Sequence, residues 1–376
     1  MKIVIPTADY PPIEGGISTV TVQLARAFAR MGHEVVVIAP HFDGMSEFDA
    51  NEPVRVLRSG GYHLGWLRTL PMLRATWPEL AGCELLIAIN VTHAGLIGLL
   101  AKQTRGVPYV TLAYAYEFLK FDRVPVLGRI LRAVYRNSKV TIAISAFTRD
   151  ALIRFGLPPA SVDVALPGAA WPMPAITHDV NVVCTRLGVH AGRVILAVGR
   201  LISRKGHDAL LDALPRVLTS FPDTQLVIVG RGPCEDSLHR RCRELDIQNS
   251  VVFTGHITDD DVNALYARCD VFALPCGEDA NGQVEGFGLV FAEAAAHGKP
   301  CIGGRSGGVV DAIVDGETGF LIPPKDAHAL ADALMTLFND PARALAMGQA
   351  GQERIARELN WDCFAQRLLA AVEARR

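Results

Sequence analysis

Three stretches of this 376-residue chain set glycines beside charged side chains at spacings suited to an anionic, hydroxyl-rich ligand. The first is Val284-Glu285-Gly286-Phe287-Gly288-Leu289-Val290-Phe291-Ala292-Glu293, where two carboxylates eight residues apart flank a Gly-x-Gly step. Glycines let a backbone approach a ligand, and the free N–H groups of the helix predicted from Leu289 to His297 favour an anion or hydroxyls. With all eight steps helical, the Cα atoms of Glu285 and Glu293 would lie about 12 Å apart. That spacing suits two ends of one extended ligand better than a hydrolytic carboxyl pair, whose groups sit ~5–9.5 Å apart. The alternative is a glycine-rich turn with two solvated glutamates.

The second stretch, Val198-Gly199-Arg200-Leu201-Ile202-Ser203-Arg204-Lys205-Gly206, reads as a strand end, a basic loop and a helix start. Arg200 and Lys205 at a strand end can converge on a departing diphosphate and stabilise the charge that grows there, surface charge being the alternative. The third, Tyr10-Pro11-Pro12-Ile13-Glu14-Gly15-Gly16-Ile17-Ser18, lacks GxGxxG, so a dinucleotide fingerprint is absent; its paired glycines before a helix can still admit a phosphate or a sugar.

The elements that must position these loops are short Val/Ile/Leu runs alternating with helical patterns, the writing of parallel sheets covered on both faces. Strands are predicted near 2–6, 34–39, 85–90, 109–113, 141–145 and 162–166, and again near 194–198, 225–229, 251–255, 270–274 and 300–303. Val20, Leu24, Ala27 and Phe28 form one apolar face of the first helix, with Gly32 as its stop; Leu210, Leu211, Leu214, Val217 and Leu218 do the same in the second half. The Pro-rich stretch 167–174 separates an N-terminal domain (1–168) from a C-terminal one (169–358), with a final helix (359–376) expected to cross back. Ligands sit beyond the carboxyl ends of strands in such sheets, so two facing domains imply a cleft with one ligand from each side.

Composition narrows the classes. Half the residues are apolar and a fifth charged, with a net charge of −2, a balance that argues against a nucleic-acid partner. Residues 1–170 carry seventeen basic and thirteen acidic groups, so the N-terminal half is the better partner for something anionic. No apolar run reaches a membrane span, and the eight scattered cysteines form no CxxC pair, so a soluble, cytoplasmic protein with free thiols is expected.

The three motifs, in this order and spacing, resemble the retaining glycosyltransferases of family 4, which implies an α/β GT-B fold of two facing Rossmann-like domains with parallel sheets. Phe253-Thr254-Gly255-His256, Asp270-Val271-Phe272-Ala273-Leu274-Pro275, Gly298-Lys299-Pro300 and Ser306-Gly307-Gly308 support the likeness, and Leu274-Pro275-Cys276 with a polar insert before Val284 is similar to the phosphatidylinositol mannosyltransferase branch. The resemblance implies that Arg200 and Lys205 hold the donor diphosphate and Glu293 the ribose hydroxyls. Glu285 and the backbone of Gly286, Phe287, Gly288, Leu289 and Val290 would take the donor sugar; Gly15 and Gly16 would face the diphosphate, and Ile257 would border the base. GDP-mannose is the first donor expected and a UDP-sugar the second, with no cofactor. The leaving phosphate would take the acceptor proton in a front-face displacement. A Lys205→Ala change would then reduce transfer with little effect on folding.

Relatives place a histidine after the strand that ends here in Thr111-Leu112-Ala113-Tyr114-Ala115-Tyr116-Glu117; alignment on Glu117 puts Tyr114 at that position, where a neutral phenol suits hydrogen bonding rather than proton transfer. His93 is a further acceptor-side candidate, or else a histidine satisfied within the fold. Asp259-Asp260-Asp261 contains a DxD, but at a helix start capping explains it, and no metal is expected. From Lys120 to Lys139 six basic residues face one acid, and Val126, Leu127, Ile130, Leu131 and Val134 can share a helix with Arg129, Arg132 and Arg136 around it. With Trp66 and Trp77 as anchors this would rest on the inner membrane face and meet a lipid-linked acceptor; the alternative is a surface helix packed on its own sheet. Two rival functions remain at this point, a nucleotide-sugar epimerase of the same fold and a non-catalytic sugar-nucleotide-binding protein.

Overall fold

The computed structural model describes residues 1–114, 125–190 and 192–375. The chain divides into two compact units: residues 1–167 with 361–376, and residues 168–360.

Unit 1 is built on a seven-stranded parallel sheet in the order β3-β2-β1-β4-β5-β6-β7, from β1 (Lys2–Pro6), β2 (Glu34–Pro40), β3 (Arg55–Ser59), β4 (Leu85–Ala88), β5 (Tyr109–Ala113), β6 (Thr141–Ala143) and β7 (Val162–Val164). Ile3, Val4 and Ile5 are each wholly buried, although successive side chains point to opposite faces, because helices cover the sheet on both sides. Each such side chain contributes about 1.5–3 kcal/mol of burial. The helix Gly16–Arg30 packs with Val20, Leu24, Ala27 and Phe28 inward, and Gly32 follows it at φ 81°.

The last helix, Trp361–Glu373, buries Trp361, Phe364 and Leu368 and packs on Gly16–Arg30. Arg30 pairs with Asp362 at 2.5 Å, and Arg375 with Asp163 at 2.6 Å. At the other end of the crossing, Ala169 N–H donates to Leu359 O at 3.0 Å, and a Cβ on Gly168 would stand 1.7 Å from that same oxygen.

Unit 2 carries a six-stranded parallel sheet ordered β10-β9-β8-β11-β12-β13: β8 (Arg193–Val198), β9 (Thr224–Val229), β10 (Val251–Gly255), β11 (Val271–Leu274), β12 (Cys301–Gly304) and β13 (Gly319–Ile322). In both sheets the chain starts in the middle, runs to one edge and returns to the other side. The strands whose onward connections part lie at β1/β4 and β8/β11, the places where an open α/β sheet opens a crevice.

Two strands escaped the sequence reading. β3 is an edge strand that carries two arginines in five residues, Arg55 and Arg58, the charged composition that protects an edge. β13 begins with Gly319, where a Cβ would lie 2.0 Å from Cys301 O, so the sheet itself demands the residue that hides the strand signal.

The basic helix forms as an amphipathic one. In Pro125–Asn137, Leu131 and Val134 are buried in unit 1 while Val126 and Ile130, on the same apolar face, are exposed, so only part of that face packs on its own unit. Arg132 lies over the Phe155 ring at 4.8 Å, and Arg136 donates to Gly156 O at 2.8 Å. Residues 120–124 of the basic segment lie outside the described residues. Trp77 is no interfacial anchor: it packs against the core with Arg105 over its ring at 5.0 Å, whereas Trp66 is half exposed. All eight cysteines are free, and among the described residues no helix is long and apolar enough to cross a membrane.

Candidate active site

The first site forms in unit 2 where β8 and β11 part. β8 runs out at Val198 into Gly199 (φ 150°), after which Leu201 N–H donates to Arg231 O at 2.9 Å and Leu201 O accepts from Cys234 N–H at 3.0 Å. A short turn, Ser203–Lys205, ends on Gly206 at φ 75°, where a Cβ would sit 2.5 Å from Pro275 O. Gly277 N–H donates to Arg204 O at 2.8 Å, so the basic loop is locked to the segment leaving β11.

That segment carries Glu285. Its Oε2 lies 2.8 Å from Lys205 Nζ and 4.0 Å from Arg204 Nε, and these side chains are 16%, 11% and 20% exposed. Burial opposes ionisation of Glu285, but Lys205, through charge and hydrogen bond, and then Arg204 and Arg200 outweigh it and hold the carboxyl below its ordinary range. Burial likewise opposes the Lys205 charge, and Glu285 more than restores it. Arg200 stands more exposed on the same loop, contributing its field.

The glycine-rich loop is held from behind. Gly308 N–H donates to Glu285 O at 2.8 Å; a Cβ on Gly308 would lie 1.9 Å from Gly286 O, and one on Gly307 2.3 Å from Glu285 O. Ser306-Gly307-Gly308 thus admits the Glu285 loop at backbone contact. Gly288 (φ 89°) precedes the helix Leu289–Ala296, whose first turn begins with Leu289 and Val290. Phe287 is 2% exposed and faces the core, so only its backbone is available to a ligand.

Glu293, on that helix, accepts from Tyr266 Oη–H at 2.9 Å, and Tyr266 stacks on His297 with ring centroids 5.2 Å apart. Burial pushes the Glu293 carboxyl up, and the Tyr266 hydrogen bond offsets part of that rise. His207, opening the helix His207–Ser220, is 2% exposed, and neither ring nitrogen has a hydrogen-bond partner among the described residues. Burial, then the Lys205 charge, lowers its pKa to about 3, so it is neutral. Ile257 lies in the loop after β10.

Asp259-Asp260-Asp261 does not cap its own helix: Thr258 does, accepting from Asp261 N–H at 3.3 Å. Asp261 is committed to Arg186 at 2.6 Å and to His178 Nδ1 at 2.9 Å, and those hydrogen bonds lower its pKa to about 2.

The second site lies where β1 and β4 part in unit 1. Gly15 takes φ 139° with nothing among the described residues within 4 Å of a Cβ, so backbone shape rather than crowding requires glycine there. Gly16 opens the helix Gly16–Arg30, which has no side-chain cap and no acidic residue in its first turn, leaving its N–H groups for an anion. His93 opens the helix His93–Arg105 and is 5% exposed; Tyr114 follows β5 and is 9% exposed. Glu117 lies outside the described residues.

Lys205 and Glu285 are therefore in contact, with Arg200 acting on the pair through space; Glu293 is bonded to Tyr266 instead. Arg204, Tyr266 and His207 went unnoticed in the sequence. Arg204 was legible in the same basic loop, whereas nothing local marks Tyr266 as a partner of Glu293.

A family model for glycosyl transferases group 1 matches residues 189–354, and one for a glycosyl transferase 4-like domain matches residues 15–168. A GDP-mannose-dependent alpha-(1-6)-phosphatidylinositol monomannoside mannosyltransferase of Mycolicibacterium smegmatis is 32% identical over 383 residues, spanning 100% of this chain and 99% of that protein. Its counterpart in Mycobacterium tuberculosis is 30% identical, spanning 98% and 97%. Among solved structures, Anabaena HepE in complex with UDP and glucose matches with a TM-score of 0.82 at 21% identity, each chain covered completely. Two Rossmann-like units with a charged, glycine-rich loop at the β8/β11 parting, together with likeness over the full length, establish that the chain belongs to the family 4 glycosyltransferases of GT-B fold, on the side of their phosphatidylinositol mannosyltransferase-like branch.

Proposed function

We propose that this glycosyltransferase moves a mannose from GDP-mannose to a hydroxyl of a lipid-linked, phosphoinositide-type acceptor with retention of configuration. The observation that carries the reading is the Lys205–Glu285 pair at the β8/β11 parting, with Arg204 and Arg200 on the same loop. As the bond from anomeric carbon to diphosphate breaks, negative charge grows on the leaving phosphate, and Arg200 and Lys205 are the groups to stabilise it. Lys205 has three N–H donors, so it can keep Glu285 and give another to a phosphate oxygen. The acceptor oxygen attacks from the face the diphosphate leaves, and its proton passes to the departing phosphate.

In this reading Glu285 orients the sugar and steadies positive charge at the anomeric carbon, and the N–H groups at Gly286 to Val290 bind hydroxyls. Glu293, with one carboxylate oxygen engaged by Tyr266, has the other for the ribose. Gly15 and Gly16 serve the phosphate side, Ile257 borders the base, and His93 and Tyr114 belong to the acceptor side. Names of the full-length relatives support GDP-mannose and a phosphoinositide acceptor; the UDP complex of HepE keeps a UDP-sugar as the second donor to try. Unit 1 exposes Leu64, Trp66, Leu67 and Leu70 within one short stretch that also holds His63, Arg68 and Arg74, which supports peripheral contact with a membrane surface.

Calorimetric titration with GDP, UDP, ADP and TDP, in magnesium and in EDTA, tests the assignment. Tight GDP binding in both media is expected; binding of none of the four would remove the donor site.

A further inference from the structure

Arg68 and His93 form a contact that the donor chemistry does not use. Arg68 Nε donates to His93 Nε2 at 2.9 Å, His93 Nδ1 lies 2.7 Å from Thr69 Oγ1, and that hydroxyl donates to Trp66 O at 3.0 Å. Proton counting fixes the tautomer: arginine can only donate, so Nε2 carries the lone pair, and Nδ1 carries the hydrogen that Thr69 Oγ1 accepts. Burial, then the Arg68 charge, lowers the imidazole pKa to about 4, so the ring is a neutral acceptor at physiological pH.

This clamp uses one of the five guanidinium N–H groups. Among the described residues the two terminal nitrogens of Arg68 have no hydrogen-bond partner, and Arg68 forms no ion pair. Two other arginines of the unit are spent: Arg58 grips Asp49 and the carbonyls of Pro11 and Pro40, and Arg26 grips Glu52. The Tyr62 ring lies 5.5 Å from Arg68 Cζ, and the charge of Arg68 reaches the half-buried Asp9, which follows β1 and sits 3.4 Å from Asn90 Nδ2. A planar cation with two free nitrogens is thereby fixed at the β1/β4 parting, in the geometry that takes a phosphate through paired N–H···O bonds.

We propose that Arg68, oriented by His93, recognises a phosphate group of the acceptor, and that His93 is a positioning residue without contact to the transferred sugar. The proposal rests on unit 1 being the acceptor unit. The phosphate can belong to a lipid headgroup or to a soluble ester.

The test uses the full chain with GDP present. Inositol 1-phosphate and myo-inositol are titrated calorimetrically, and flotation is measured with phosphatidylcholine vesicles with and without phosphatidylinositol. Arg68→Ala is expected to weaken phosphate-dependent binding about 30-fold, the worth of a charge-assisted pair, with Arg68→Lys intermediate. His93→Ala loses part of that affinity, and His93→Gln restores it, because an amide oxygen can accept from Arg68 while the amide nitrogen donates to Thr69. Myo-inositol is indifferent to all four changes, and GDP affinity is unchanged in them. A loss seen only with vesicles assigns the phosphate to a lipid headgroup, and one seen with inositol 1-phosphate to the ester itself. The proposal is overturned if wild type shows no phosphate-dependent binding in either arm, or if Arg68→Ala leaves both arms intact. Phosphate binding that follows Arg68 in a protein unable to bind any nucleotide would sink the transferase reading and keep this site.

Discussion

Removing either partner of the Lys205–Glu285 pair should damage folding, and the two removals should not be equal. At the observed 2.8 Å the direct attraction is ~6 kcal/mol at an effective dielectric constant near 20, most of it offset by the cost of desolvating both ions. Deleting one member of a buried pair typically costs ~3–5 kcal/mol, because the other charge stays behind uncompensated. Here the remainder differs. Lys205→Ala leaves Glu285 with Arg204 at 4.0 Å, so about 2–3 kcal/mol is expected, whereas Glu285→Ala leaves Lys205 and Arg204 repelling each other, so about 4–5 kcal/mol is expected. The double variant should be more stable than the sum of the singles by roughly 2–3 kcal/mol. Calorimetric unfolding reads these as shifts of ~2–4 °C per kcal/mol in the transition of a unit this size. This replaces the expectation from sequence that Lys205→Ala would spare the fold. Additive single effects, or a larger loss for Lys205→Ala than for Glu285→Ala, would refute the electrostatic argument.

Three further outcomes follow from neighbouring contacts. Gly308→Ala should cut transfer about a hundredfold with secondary structure retained, since a Cβ 1.9 Å from Gly286 O must displace the glutamate loop by something near an ångström; unchanged kcat would mean the loop is not positioned from behind. Stability should fall on acidification from about pH 6.5, because His207 at about 3 and His93 at about 4 stay neutral in the fold while the unfolded chain takes up their protons; His207→Gln should reduce the slope between pH 4 and 6 by about 1.4 kcal/mol per pH unit in urea titrations. Tyr266→Phe should raise KM for the nucleotide-sugar and leave kcat nearly unaltered, as it frees the Glu293 carboxylate without removing it; a fall in kcat alone would assign Glu293 to the chemical step.

The legible part of the structure was whatever a local pattern could write. Unbroken runs such as Lys2–Pro6 and Gln225–Val229 declare buried parallel strands, and the glycine steps at 15–16 and 286–288 mark the turns into helices. Strands that owe their place to an edge or to close backbone contact, β3 and β13, carried no such pattern. The basic loop and the glutamate loop were each visible, but their direct ion pair was not. That contact depends on β8 and β11 becoming neighbours, a fact of sheet order rather than of spacing. His207 was invisible for a related reason: its isolation comes from what packs over it. The Arg68–His93 clamp likewise joins two elements that sequence spacing alone does not relate.

The return of the last helix to unit 1 makes unit 2 an insertion with both ends side by side, Ala169 bonded to Leu359. During synthesis unit 1 must therefore wait, with the helix Gly16–Arg30 missing its cover, until all of unit 2 has emerged. The same geometry makes residues 168–360 a cassette: cut at its adjoining ends, it could be exchanged for a relative's without altering how the last helix closes on the helix Gly16–Arg30.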